Sequence, residues 1–301
     1  MEDLTRSVNR RQFVTTTLAS IGSVSFLTPS TAFASPVQET LTVQQVIDRI
    51  VKTIPGGVLQ QTVDTLKAGS PDQPVTGIVS TMFATVDVIR KAIELKANFI
   101  IAHEPTFYNH LDDTAWLAGD EVYEYKKKLL DDNKIAVWRF HDYWHRHDPD
   151  GIRMGVLEKL GWDKYYDPKE PRLITIGPTP LSLIVGHVKN KLGIDHVRFI
   201  GDRDQLCRRI AIMPGASGGR SHISLLMQHK PDLLICGEVA EWETAEHVRD
   251  AIAMGLKRSL IVLGHAQSEE PGMNWLVNRL RSHVNDIRVD HIPANNPFAW
   301  S

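Results

Sequence analysis

Cysteine is almost absent: Cys207 and Cys236 are the only two in 301 residues, which excludes a disulfide framework and a thiolate zinc site. Any metal must then be held by imidazole and carboxylate. An excess of charge of one sign is also lacking. The 34 Lys and Arg against 36 Asp and Glu give a formal charge of -2, so there is no electrostatic footprint for a phosphate backbone and nucleic acid is not an expected partner. Long apolar runs are missing too. The stretch from Phe13 to Leu27 is broken by Thr15-Thr16-Thr17, Ser20, Ser23 and Ser25, whereas a membrane span needs roughly 18 consecutive apolar residues. No short repeat and no low-complexity segment occurs, which sets aside solenoids and disordered tracts. What remains is 42% hydrophobic and 23% charged, with thirteen histidines: the profile of a globular protein of one large α/β domain or two modest ones.

Residues 1–34 have the layout of an export signal, with Arg6, Arg10 and Arg11, then the moderately apolar stretch, then Ala32-Phe33-Ala34 as a small-x-small cleavage site. The Arg10-Arg11 pair within Asn-Arg-Arg-Gln-Phe-Val resembles the twin-arginine motif. The expectation is a mature chain beginning near Ser35, periplasmic or secreted, with no membrane attachment after cleavage. Removing the segment takes away three arginines and two acids and leaves a charge of -3, so the exclusion of nucleic acid stands. Twin-arginine substrates cross folded and often already loaded, which suits a metalloprotein.

From about Leu41, apolar or β-branched runs alternate with amphipathic helical stretches, the pattern of an α/β fold. Strands are predicted at Thr76–Ser80, Asn98–Ala102, Ile135–Phe140, Arg209–Met213, Leu233–Cys236, Ser259–Leu263 and Asp286–His291. Val88, Ile89, Ala92, Ile93 and Leu95 mark one helix, with Thr85 placed to cap it, and Glu241 to Met254 another. The expected architecture is mixed sheets with helices packed outside, in one domain over 35–301. The Pro-rich stretch Asp167–Pro180 divides it into two similar halves, 41–166 and 181–301.

Chemically capable residues fall at the carboxyl ends of the predicted strands, where ligands bind in open α/β sheets. They are His103-Glu104, the donor-rich run His141 to Asp150, Gly237-Glu238, and Gly264-His265. In His265-Ala-Gln-Ser-Glu269 an imidazole and a carboxylate are spaced by four, so on a helix both point to one side. His103 alone reads equally as a satisfied buried imidazole. Three histidines and two glutamates form a set suited to divalent zinc, manganese, iron or nickel. Glu238 and Glu241 are candidates for acid/base work, or Glu238 is simply a charge at a helix start. The glycine-rich turn Met213–Ser221 either presents amides to an anion or is a tight structural turn. Tyr108, Trp144 and Trp242 either stack a planar substrate or pack, and Cys236 reads as a small buried hydrophobe.

Val75–Val79, Asp87–Ile93, Ala97–Phe107, Gly215–Gly218, Asp232–Val239, Gly264–Glu269 and Ile292–Pro297, in that order, resemble the Nif-three-like dinuclear metal-centre family, also known as GTP cyclohydrolase type 2-like. The resemblance spans about Val43 to Phe298. It implies two divalent metal ions per chain and a toroidal homo-hexamer. Carried over by position, the family's first histidine matches His103, its second is replaced by Glu104, its aspartate falls at His145, and His265 and Glu269 match directly. The replacements look reciprocal, and His141 competes with His145 as the third imidazole. The expected function is an exported dinuclear metal-dependent hydrolase in which metal-activated water attacks a small-molecule substrate and Glu238 shuttles the proton. A cytoplasmic GTP-opening role fits poorly with export. The rival reading is a non-catalytic, ring-shaped metal-binding scaffold.

Overall fold

Thr42 opens the first helix with a capping box: its hydroxyl accepts from the Gln45 amide while the Gln45 side chain accepts from the Thr42 amide. The computed structural model describes residues 40–284 and 287–301, and residues 40–301 form one compact unit. The expected export signal and the first residue of the predicted Asp286–His291 strand lie outside the described residues.

The first half contains α1 (Val43–Val51), β1 (Leu66–Ala68), β2 (Ile78–Thr81), α2 (Val86–Glu94), β3 (Phe99–Ala102), α3 (Glu121–Asp132), β4 (Ala136–Arg139), α4 (Asp142–Arg146) and α5 (Gly151–Leu160). The second contains β5 (Leu173–Pro180), α6 (Leu181–Leu192), β6 (Arg198–Ile200), β7 (Leu206–Met213), α7 (Gly219–His229), β8 (Leu233–Cys236), α8 (Glu246–Ala253), β9 (Ser259–Val262), α9 (His265–His283) and β10 (Val289–His291). Two five-stranded mixed sheets result, ordered β1-β4-β3-β2-β10 and β5-β7-β8-β9-β6. The predicted strands correspond to the parallel core of each sheet, β10-β2-β3-β4 and β7-β8-β9. Three antiparallel edge strands, β1, β5 and β6, were not read from the sequence. The Pro-rich stretch itself supplies β5, whose register slips between Thr175 and Thr179. β10 returns to the first sheet beside β2, so the last residues of the chain complete the sheet formed by the first.

Each sheet is covered on both faces, following the two-residue period of its strands. Phe99 and Ile101 of β3 pack with α1 and α9, while Ile100 and Ala102 pack with α2 and α3. Ile210, Leu233 and Ile261 pack with α5 and α6, whereas Ala211, Leu234 and Leu260 face α7 and α8. Thr85 caps α2 as expected, accepting from the Val88 amide. The predicted Glu241–Met254 helix begins as a π-helical turn over Glu241–Ala245 before α8. α5 and α9 cross so closely that a Cβ on Gly155 would overlap the backbone of Gly272. That contact sets the residues flanking α5 against the start of α9. No helix among the described residues is long and apolar enough to cross a membrane.

Candidate metal centre

The registers align the carboxyl ends of the strands. Thr81, Ala102 and Arg139 are level in the first sheet, and Met213, Cys236 and Val262 in the second. The next residues along each strand therefore leave at one edge: His103-Glu104, Phe140-His141, Gly237-Glu238 and Leu263-Gly264-His265. There the two edges converge. The donor atoms of His103, His141 and His145 lie within 4.8 Å of one another, as do those of His103, Glu104 and Glu269. His265 joins the second group, its Nε2 at 3.0 Å from Glu269 Oε2 and 3.4 Å from Glu104 Oε1. All five expected ligands are thus brought together, and so is His141, whose ring stacks on His103 with centroids 4.8 Å apart. His141 and His145 both lie in the cluster.

The four imidazoles share one arrangement. His103 Nδ1 donates to Phe140 O at 3.0 Å, His141 Nδ1 meets Asp142 Oδ1 at 2.9 Å, His145 Nδ1 meets Asp150 Oδ2 at 3.1 Å, and His265 Nδ1 meets Glu238 Oε1 at 2.9 Å. Carbonyls and carboxylates only accept, so each Nδ1 carries a proton; at His103, His141 and His145 this directs Nε2 toward another partner, whereas His265 Nε2 already donates to Glu269 Oε2. His103 shows the consequence most clearly. It is fully buried, its Nε2 has no hydrogen-bond partner, and the nearest acid, Glu269 Oε2, is 3.7 Å away. An orphaned buried nitrogen costs free energy unless something is bound to it. A divalent cation fits the donor set.

Electrostatics agree. Burial, followed by repulsion from His145 and His141, holds the His103 pKa well below its ordinary value, so its ring is neutral. For His265 burial pulls the other way from its neighbours, but hydrogen bonds to Glu104, Glu238 and Glu269 win and raise the pKa to about 12. Three carboxylates grip a proton where a larger cation would satisfy them together. At Glu104 burial alone would raise the pKa, yet His265, His141 and Arg139 hold it low.

Several supporting residues escaped the sequence reading. Asp64, from the loop before β1, accepts the backbone amides of His141, Asp142 and Tyr143 at 2.8–3.0 Å and pins the turn that presents His141 and His145. Fully buried Arg139 donates to His103 O, to His110 O and, at 3.3 Å, to Glu104 Oε2. This leaves Oε1 of Glu104 toward His265. Gly215, at φ +71°, does not cradle an anion: its amide donates to Ser268 Oγ at 2.9 Å, and a Cβ there would overlap Glu269 Oε1. The next helix start is likewise spoken for, since the Gly219 amide donates to Glu243. The glycine-rich turn is thus structural and makes room for Glu269.

Glu238 is half exposed and reaches the centre only through His265. Glu241 does not reach it, pairing at the surface with Arg198 at 3.0 Å. Trp144 is buried in packing between Phe140 and Trp275, and Trp242 is exposed. Cys236 is a buried hydrophobe whose thiol is pushed up to about 12 by burial. A cleft of about 1070 Å³ opens on Glu104, Glu238 and His265, walled by Phe83, Tyr108 and Ile292 among others.

Comparison with known proteins gives the same frame. A curated relative from Clostridium perfringens, a GTP cyclohydrolase 1 type 2 homolog, is 26% identical over 248 residues, covering 78% of this chain and 90% of its own. Another of the same name from Pyrococcus abyssi is 26% identical over 229 residues, 72% of this chain and 85% of its own. Among solved structures, a Staphylococcus aureus protein superposes with TM-score 0.70 at 20% identity, covering 87% of this chain and 100% of its own. A Bacillus cereus protein related to NIF3 gives TM-score 0.70 at 16% identity, with 88% and 100% covered. The family model of Duf34/NIF3 (NGG1p interacting factor 3) matches residues 41–297. The chain, with its two similar sheets and convergent imidazoles, belongs to the Duf34/NIF3 family.

Proposed function

We propose that the protein is an exported dinuclear metal-dependent hydrolase acting on a small molecule. The observation that carries this reading is the four-imidazole arrangement, each ring held at Nδ1 and turning Nε2 into a cluster with two buried glutamates, with His103 Nε2 left without a partner. Glu269 Oε2 faces both His103 Nε2 and His265 Nε2, so with these two imidazoles it would hold the metal ions. Glu104, with one oxygen held by Arg139 and the other turned toward His265, would add a second carboxylate to the set that holds them. Bound divalent ions, zinc, manganese, iron or nickel, would supply Lewis acidity and a water made acidic near neutral pH.

Glu238 orients His265 and lines the cleft, which places it to take and return a proton at the substrate. Catalysis is favoured over bracing because a structural site is closed by its full ligand set, whereas here Glu104 and His265 line an open cleft. Export rests on the Arg10-Arg11 motif, and it argues against GTP, the nucleotide in the relatives' name, as the substrate. A homo-hexameric ring is part of the proposal. The test is to load purified protein with each of the four metals and screen phosphoesters, amides and cyclic nucleobases. Turnover that depends on metal and falls in Glu238→Gln supports the reading. Full metal content with no turnover across the screen favours the scaffold.

A further inference from the structure

The cleft that opens on the candidate metal centre is also lined by a lysine whose ammonium has unmet capacity. Lys126 of α3 lines it, yet is only 4% exposed. Its Nζ donates to Thr106 O at 2.6 Å and lies 5.8 and 5.2 Å from the ring centroids of Phe107 and Tyr108. An ammonium has three N–H donors, so two are left. Lys126 has no ion-pair partner among the described residues. Asp112, whose charge acts on it, is taken by Lys67 at 3.3 Å and Arg139 at 3.7 Å. The acids lining the cleft are taken as well: Glu104 by Arg139, Glu238 by His265 and Asp87 by Arg90. Lys91, the other lysine there, pairs with Glu94. Burial without a counter-ion is costly and lowers the Lys126 pKa to about 8.

We propose that the cleft binds an amphiphilic anion whose carboxylate or phosphate pairs with Lys126 while its apolar part packs on Tyr108 and Phe83. That this anion is the substrate rests on the hydrolase reading above; that it binds does not. The ammonium supplies the charge complement, the half-exposed Tyr108 ring and the apolar walls supply the surface, and the metal ligands share the same cleft.

Calorimetric titration of benzoate, phenyl phosphate and the neutral benzyl alcohol into metal-free and metal-loaded protein tests this. At least one anion should bind both forms more tightly than benzyl alcohol, and the two anions separate carboxylate from phosphate. Lys126→Met should weaken the anion by about tenfold or more, as expected for a lost charge-assisted hydrogen bond, and Lys126→Arg should retain most of the affinity. Thermal melts of both variants control for folding. Anion binding unchanged in Lys126→Met, or seen only with metal present and insensitive to Lys126, overturns the subsite while leaving the metal centre standing. Lys126-dependent binding in protein that takes up no metal keeps the subsite and removes the hydrolase.

Discussion

Replacing Lys126 by Met should change how stability depends on pH, and the size follows from its burial. Its pKa falls from 10.5 to about 8, and at roughly 1.4 kcal/mol for each tenfold change in proton affinity this is about 3 kcal/mol. The sign follows from proton counting. Between the two values the unfolded chain holds the proton and the folded chain does not, so stability rises with pH there. Below about pH 8 both states are charged and the folded state bears the whole desolvation cost; above about pH 10.5 neither is charged and the cost is gone. Urea unfolding of metal-free wild type and Lys126→Met, followed from about pH 7 to about pH 11, isolates this contribution because every other group is common to both. The wild type should gain about 3 kcal/mol relative to the variant across that window. Parallel profiles would refute the assignment of Lys126 as a buried, uncompensated ammonium.

Arg139→Met removes one of the buried cations that face Glu104 and leaves the carbonyls of His103 and His110 without their donor; it should destabilise metal-free protein by about 3 kcal/mol or more in chemical unfolding, with Glu104→Gln in the same chain recovering part of the loss. Gly215→Ala places a Cβ against Glu269 at a left-handed backbone position; a stability loss of at least about 1 kcal/mol and weaker metal binding are expected by calorimetry. Replacing Arg10 and Arg11 by Lys should leave precursor in the cytoplasm on fractionation, because the twin-arginine route reads that pair rather than positive charge in general.

Strands buried on both faces were legible because they are continuous apolar runs. Phe99–Ala102 and Leu233–Cys236 are fully buried, and their short length between turn residues points to strand. Leu66–Ala68 and Arg198–Ile200 are three-residue, half-exposed edges, which carry no such signal, and β5 was hidden by Pro178 and Pro180. The residues of the cluster were legible for a related reason: His103, Glu104 and His265 follow readable strands, and Glu269 follows His265 at helical spacing. The choice between His141 and His145 was not, because spacing cannot say that a short helix, α4, brings both inward. Asp64 lies 77 residues from the His141 amide it accepts from, and Arg139 reads as one more residue of a buried strand. Their roles exist only once the strand ends are level. Gly215 lay between two readings, and its contact with Glu269 decides for the structural turn.

The central claim is tested most directly by metal analysis of the purified protein, comparing wild type with the double variant His265→Ala, Glu269→Ala. About two divalent ions per chain are expected in the wild type, and loss of both in the double variant, since on this account Glu269 and His265 would hold both. Metal content unchanged in the double variant, or a wild-type protein that binds no metal when offered zinc, manganese, iron or nickel, would contradict the account.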